Sequence, residues 1–134
     1  MDQFTIEFYE DINGNLPVEH FILSLDTKMK AKLLGILKIL QEKGNQLREA
    51  YTKYLGDGIF EIRIKVGTDI SRVLYFFYYG RIIILINGFI KKTRKIPVKE
   101  IALAKKRKMD YLKRKWRNEN FKQSYKWAAE RSRI

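Results

Sequence analysis

The sequence contains no cysteine, so disulfide bonds and thiolate metal sites are excluded. Its single histidine, His20, lies in a short amphipathic segment, and no cluster of histidine and carboxylate residues has the spacing of zinc ligands. No glycine-rich loop followed by lysine is present, and no serine has a histidine base close to it in the pattern. Metal-dependent hydrolysis, nucleotide binding and triad chemistry are therefore not expected, and neither a metal nor a cofactor is predicted.

Long apolar runs are missing as well. No segment approaches the roughly 20 apolar residues of a membrane-spanning helix. The first residues, MDQFTIEFYED, are acidic and alternating, unlike the basic start and apolar run of a signal peptide. The 134 residues, 46% of them hydrophobic and 13% aromatic, suffice for one globular domain. We therefore expect a cytoplasmic protein without membrane contact.

Acidic residues are scarce in the last third of the chain. Residues 1–90 hold 11 Lys/Arg and 11 Asp/Glu, whereas residues 91–134 hold 17 and 4, which accounts for the whole net charge of +13. Such segregation indicates an anionic partner that is contacted mainly by the C-terminal third. Nucleic acid is favoured over a membrane surface or an acidic protein, and a solvated basic helix is the alternative.

Hydrophobic periodicity predicts the element order β-α-α-β-β-β-α. The first strand is FTIEFYE, and two helices follow, one beginning at Pro17 and one running from an Asp26 N-cap to Gly44. The stretch YTKYLGDG is interpreted as a loop. Three strands come next, and the short turns between them predict an antiparallel meander of IFEIRIKV, ISRVLYFFYY and RIIILINGF. Gly88 is expected to let the chain leave the sheet.

A basic helix is predicted from Pro97 onwards. One apolar stripe runs through positions 98, 102, 105, 109, 112 and 116, where only Lys105 interrupts it. The stretch RNEN is expected to break this helix, and FKQSYKWAAERSRI either forms a short second helix or frays. Residues 1–115 are accordingly assigned to the main domain and residues 116–134 to a basic, aromatic C-terminal extension.

Cations gather at one corner of the predicted sheet. Arg63 and Lys65 share a face of their strand, and Arg72 opens the next strand. A cationic segment follows the last strand and lies level with Arg72 in a meander: Lys91, Lys92, Arg94 and Lys95. Arginine binds phosphate oxygens bidentately and lysine acts as a point charge, so the corner fits a phosphodiester. Tyr75 and Tyr78 lie further along the same strand.

Such a corner can also support RNA cleavage. Cations stabilise a pentacoordinate phosphorane, a lysine with a lowered pKa can transfer protons, and the 2′-hydroxyl of RNA is itself the nucleophile. Structural alternatives exist for each cation. Arg63 could pair with Glu61 or Asp57, and Arg72 could hold the hairpin through carbonyl groups. The lysine-rich segment could be a solvated loop. The residues alone thus indicate an RNA- or DNA-binding domain or a metal-independent ribonuclease.

Several ordered motifs resemble the RelE/ParE superfamily of type II toxin–antitoxin toxins, and within it the phage-related HigB-like branch. Residues 4–112 carry the resemblance, through Leu55–Gly56 with FEIR, then RVLYFF, then GFIKKTRKIPVKEI.LA. The opening FYED.NGN.PV..F with a helical hairpin also fits this branch. Asn87 departs from the pattern, because many relatives have histidine there. The residues after Leu112 have no family counterpart.

The resemblance implies an α+β, RelE-like toxin domain whose helices pack on one face of a curved, mostly antiparallel sheet. It also implies an mRNA interferase that cuts messages on the ribosome and is inhibited by a HigA-like helix-turn-helix antitoxin, through which alone operator DNA is contacted. The implied catalytic residues are Arg63, Arg72, Lys91 and Lys92. The predicted RNA-binding residues are Lys65, Arg94, Lys95, Tyr75 and Tyr78.

Two other functions are compatible with the sequence. One is a non-catalytic, ParE-like inhibitor of DNA gyrase, and the other is a plain nucleic-acid-binding regulatory protein. The pairing of Lys91–Lys92 with Arg63 and Arg72 favours the interferase, because an inhibitor that acts by protein contact has no need of a cationic cleavage site.

Overall fold

A computed structural model describes residues 4–46, 51–91 and 95–131, with side chains as far as residue 120 except that of Asn45. The strands are β1 (Thr5–Phe8), β2 (Thr52–Gly56), β3 (Ile59–Val66), β4 (Asp69–Tyr78) and β5 (Ile82–Lys91). The helices are α1 (Pro17–Ser24), α2 (Thr27–Lys43) and α3 (Val98–Arg131), and a 3-10 turn covers Gly44–Gln46. Along these ranges, no helix combines the length and the apolar character required to cross a membrane.

The five strands form one sheet in the order β1-β5-β4-β3-β2. β1 runs parallel to β5, and every other neighbouring pair is antiparallel. The predicted class, α+β with a mostly antiparallel sheet and a meander from β3 to β5, is confirmed. The prediction of a loop at YTKYLGDG is wrong over Thr52–Gly56, which pairs with β3 as an edge strand. This short edge strand, in which Lys53 and Tyr54 are exposed, lacks the apolar alternation by which strands are recognised.

Local signals place the two ends of α2 correctly. The Asp26 side chain accepts a hydrogen bond from the Met29 backbone N–H at 2.8 Å, as an N-cap does. Gly44 ends the helix at a φ of 54°, and a Cβ there would lie 2.1 Å from the Phe4 ring. Both a left-handed backbone and the absence of a side chain are therefore required at this position.

The helices cover both faces of the sheet. α1 and α2 bury residues such as Val18 and Leu33 against Ile62 and Leu85. α3 buries Ala104 and Tyr111 against a second cluster on the opposite face, formed by Leu74, Phe76, Ile84 and Ile86. The expectation that the helices pack on one face is thus correct for α1 and α2, whereas α3 lies on the other face.

Most of the apolar stripe predicted for α3 points away from the sheet, although Leu112 packs against the second cluster. Val98, Met109 and Trp116 are 77%, 55% and 68% exposed. The positions that face the sheet instead include Ala104, Tyr111 and the half-buried Arg107. A hydrophobicity pattern counts arginine as polar, although its methylene stem can pack against apolar residues. The predicted break at RNEN is wrong as well, since α3 is continuous over 34 residues. Residue 116, where the predicted extension begins, falls inside this helix.

A β-bulge in β5 decides which side chains reach the α3 face. Tyr75 pairs with Leu85 but Leu74 pairs with Asn87, so Ile86 is an extra residue. Beyond this bulge the alternation is reset, and Asn87 shares a face with the α3 cluster. Gly88 does not end the strand, which continues to Lys91. A glycine is needed there because a Cβ would lie 2.2 Å from the Phe21 ring.

Candidate functional site

The strand register brings four of the predicted site residues to one corner of the sheet. Arg63 lies opposite Arg72, and Ile70 lies opposite both Lys65 in β3 and Lys91 in β5. Residues that oppose each other across strands share a face, which here is the face that α3 covers further along. We call these four residues the basic corner: Arg63, Lys65, Arg72 and Lys91. Like charges placed directly opposite each other destabilise a sheet unless something offsets them.

The negative charge of Glu61, a residue that is 1% exposed, offsets the repulsion between Arg63 and Arg72. One of its carboxylate oxygens lies 3.1 Å from the Arg63 Nε, and the other lies 3.5 Å from an Nη of Arg72. Both arginines therefore converge on one buried carboxylate, and we call Glu61, Arg63 and Arg72 the triad. The pairing of Arg63 with Glu61, an alternative for this residue at the sequence level, is present in the structure.

The two arginines of the triad differ in accessibility. The Arg63 side chain is 40% exposed, whereas that of Arg72 is 0% exposed. Glu61 engages Arg63 through Nε, so it does not use the two terminal nitrogens that bind phosphate bidentately. Arg63 can therefore hold a ligand from outside, while the enclosed Arg72 holds Glu61 in place.

Arg63 also borders a cleft between β3 and α2. The cleft has a volume of about 320 Å³ and is lined by Lys32, Ile36, Tyr51, Arg63, Ile64 and Lys65. Lys32 donates from Nζ to the Lys65 carbonyl at 3.3 Å, which brings a cation of α2 beside the basic corner. Sequence reasoning missed Lys32, because helix α2 and strand β3 are distant in the chain.

Burial raises the pKa of the Glu61 carboxyl, and the nearby charges of Arg72, Arg63 and Lys53 oppose this rise only in part. The folded chain therefore holds the Glu61 proton at pH values where the unfolded chain has released it. The contribution of Glu61 to stability is present below the ordinary pKa of 4.5 and is lost as pH rises through the raised value.

This linkage predicts a specific pH dependence of stability. We expect the free energy of unfolding of the native protein, minus that of Glu61→Gln, to fall as pH rises above 4.5. The slope should be at most about 1.4 kcal/mol per pH unit, because one proton is involved. Urea denaturation at a series of pH values measures it. Parallel profiles for the two proteins would show that the pKa of Glu61 is not raised.

A family model described as "Phage derived protein Gp49-like (DUF891)" matches residues 20–109, about two thirds of the chain. The chain belongs to this family. The Gp49-like family is a family of type II toxins of the RelE/HigB-like kind, so the resemblance read from the motifs is confirmed at that level. No curated protein is detectably similar to the chain.

The region matched to the Gp49-like family contains the complete triad and the basic corner. It begins after β1 and ends within α3, seven residues before Trp116. The part of α3 that follows Met109, in which residues 116–120 are exposed, is therefore additional to what the family match describes. The triad therefore lies in the part of the chain that matches the Gp49-like family, and Trp116 lies outside that part.

Asn87, the residue that departs from the pattern of the resemblance, is a structural residue of this Gp49-like protein. It is 1% exposed and donates from Nδ2 to the Glu100 carbonyl at 2.9 Å. Its Oδ1 accepts from Arg107 at 3.0 Å, and Arg107 also donates to the Ile86 carbonyl. These bonds fix the first turns of α3 against the bulge in β5, next to the triad. Glu100 and Arg107 were not predicted, because their partners are fixed only by tertiary packing.

The remaining predicted residues are distributed more widely. Tyr75 is buried on the opposite face of the sheet, where its hydroxyl lies 2.7 Å from that of Thr52. Tyr78 is on the α3 face, but six residues of extended strand, about 20 Å, separate it from Arg72. Lys95 is exposed after β5. Lys92 and Arg94 lie outside the residues that the structure describes.

Proposed function

We propose that this Gp49-like protein is the HigB-like toxin of a type II toxin–antitoxin pair and cleaves mRNA on the ribosome. The observation that carries the proposal is the exposed Arg63 guanidinium, which the buried Glu61 holds by Nε at the edge of a cluster of cations. A guanidinium held in this way is preorganised for a phosphate group, because its orientation is fixed before the ligand arrives.

Arg63 is proposed to bind the scissile phosphate through its terminal nitrogens. As the RNA 2′-oxygen attacks phosphorus, negative charge accumulates on the phosphorane oxygens, and the guanidinium stabilises that charge. Glu61 and Arg72 are positioning residues in this scheme, since both are enclosed and act through Arg63. Lys65 and Lys95 are proposed to contact neighbouring phosphates, and Tyr75, a buried residue, to support the sheet.

The proposed reaction moves two protons. The 2′-oxygen forms a bond to phosphorus while its proton passes to a base, and the bond from phosphorus to the 5′-oxygen breaks as that oxygen gains a proton. The products are a 2′,3′-cyclic phosphate and a 5′-hydroxyl. We assign the proton transfers to Lys91, the last residue of β5, and to Lys92, the next residue of the sequence. The substrate supplies the nucleophile, so the scheme requires neither a metal nor a cofactor.

Membership in a toxin family implies an antitoxin partner. We propose that this partner is a HigA-like helix-turn-helix protein that alone contacts operator DNA. The site of action would be the cytoplasm, where the ribosome and mRNA are present. The positive charge of residues 91–134 would then bind the ribosomal RNA backbone, and such binding should weaken steeply with salt.

Mapping of mRNA 5′ ends after induced expression tests this proposal. Cuts are expected within translated reading frames, and a matched reporter message without a start codon should remain uncut. Intact mRNA together with gyrase-dependent DNA breaks would overturn the proposal in favour of a ParE-like inhibitor. Intact mRNA and intact DNA would instead favour a non-toxic nucleic-acid-binding protein.

A further inference from the structure

Two exposed aromatic side chains border one groove at the end of β4 that lies far from the triad. Tyr79 is 77% exposed and Trp116 is 68% exposed. The groove has a volume of about 460 Å³. Besides these two rings, its walls include Tyr78, Leu112, Lys108 and Glu119. Large aromatic side chains are costly to leave in water, and two on one groove indicate a ligand surface.

The backbone at Tyr79 is unusual for an aromatic residue. Tyr79 and Gly80 have φ angles of 51° and 70°, so the first two of the three residues that connect β4 to β5 are left-handed. Asparagine, aspartate or glycine fits the first of these positions better than tyrosine. Because the ring is mostly exposed, burial does not compensate for the strain. Tyr79 thus has an unfavourable backbone conformation and an aromatic ring exposed to water, and both indicate a contact with a ligand outside the chain.

The Tyr79 ring nevertheless has a defined position. It packs against the Tyr78 ring with centroids 4.5 Å apart. Tyr78 is in turn fixed by its hydroxyl, which donates to Glu119 at 3.1 Å. Burial and the nearby Glu119 carboxylate raise the pKa of Tyr78 to about 12, so its hydroxyl remains a donor at neutral pH. The two rings are tilted by 46°, so the Tyr79 ring is held at one edge while its face stays available for stacking.

The groove itself is lined by one cation and one anion, Lys108 and Glu119, but α3, the helix that forms one of its walls, is strongly basic. Residues 95–120 contain ten Lys/Arg against three Asp/Glu. Within the groove Lys108 donates one hydrogen to the Asp57 carbonyl, and an ammonium group has further donors for a ligand. Exposed aromatic rings beside cations are the combination that binds single-stranded nucleic acid, through base stacking and phosphate contact. An acidic peptide would use the cations but has no need of the stacking rings.

We propose that the groove between Tyr79 and Trp116 binds an unpaired nucleobase of single-stranded RNA, with its phosphate on Lys108. Glu119, the one acidic residue among the described residues that line the groove, accepts a hydrogen bond from an exocyclic amino group and so favours cytosine, adenine or guanine over uracil. This inference rests on the proposed function in taking RNA as the ligand. The groove is separate from the triad, and it binds RNA without cleaving it.

The test measures binding of a fluorescently labelled 2′-O-methyl oligocytidylate by anisotropy. This probe has no free 2′-hydroxyl and is not cleaved, so a failure of the proposed cleavage chemistry does not affect the result. Tyr79→Asn is expected to weaken binding about tenfold, the order expected for the loss of one stacked base. Since asparagine suits the left-handed turn position, this variant should be at least as stable as the native protein. Tyr79→Phe should bind like the native protein.

Met109→Ala, at an exposed position of α3 outside the groove, is the matched control and should bind normally. Oligouridylate is expected to bind more weakly than oligocytidylate. Unchanged binding by Tyr79→Asn would show that the groove is not the RNA-binding site. Equal binding of the two oligonucleotides would show that Glu119 does not select the base. Displacement of the RNA by a polyglutamate peptide with equal affinity would show that the groove is a protein-binding surface instead.

A second readout uses Trp116 directly. Trp127→Phe leaves Trp116 as the single tryptophan of the chain. Its emission should be quenched on addition of the same oligocytidylate, because a stacked base lies in contact with the indole. Unchanged emission at saturating RNA would exclude Trp116 from the site.

Discussion

Replacement of Arg63 by alanine is expected to reduce mRNA cleavage at least about 100-fold, the loss typical of removing one preorganised donor from the transition state. Stability should fall less than in an Arg72 variant, because the Arg63 side chain is 40% exposed, so water can reach Glu61 once it is removed, and Arg72 still faces Glu61. Cleavage is measured as the rate of 5′-end formation on a translated message in a reconstituted translation system. Urea denaturation of the same preparation measures stability.

Arg63→Lys separates geometry from charge. Lysine keeps the positive charge but cannot bind Glu61 through Nε and phosphate through two further nitrogens at once. We expect this variant to recover only a small part of the lost rate. Lys38→Ala, an exposed cation of α2, is the control and should cleave normally. Cleavage at the native rate by Arg63→Ala would remove Arg63 from the site.

Arg72→Met is expected to lower the free energy of unfolding by about 3–5 kcal/mol, because it leaves a buried carboxylate without one of its charge partners. Glu61 and Arg72 are 1% and 0% exposed, so water cannot replace the lost partner. The double variant Glu61→Leu with Arg72→Met should recover most of this stability, since a buried ion pair can often be replaced by apolar groups of similar volume. Urea denaturation of the two single variants and the double variant completes the cycle.

Two results would contradict this view of the triad. One is an Arg72→Met variant that is as stable as the native protein. The other is a double variant that is no more stable than Arg72→Met. If the cycle behaves as expected, a loss of toxicity in Arg72→Ala alone is no proof of a catalytic role. The stable double variant is then the informative one, and it should fail to cleave because Arg63 has lost the carboxylate that orients it.

Local sequence signals were sufficient for much of the fold. The Asp26 cap, the glycine at position 44 and the alternation of IFEIRIKV each depend on neighbouring residues, so the bounds of α2 and the face of Arg63 could be predicted. The short turns also determined the antiparallel meander, which placed Arg63 and Lys65 close to Arg72. The composition of residues 91–134 determined the charge of the C-terminal third.

Tertiary structure alone decided how these cations are arranged. A hydrophobicity pattern reads Glu61 and Arg72 as surface residues, yet they are buried because each satisfies the charge of the other across two strands. The bulge at Ile86 resets the alternation of β5 and so turns Lys91 toward the triad. α3 packs an alanine, a tyrosine and the half-buried Arg107 against the sheet and leaves most of its apparent apolar stripe, Leu112 excepted, exposed to water. Pairing of buried charges, strand register and the choice of helix face all depend on residues distant in the chain. The sequence alone therefore determined that cations gather at one corner of the sheet, and the tertiary structure decided that buried Glu61 orients the exposed Arg63 there.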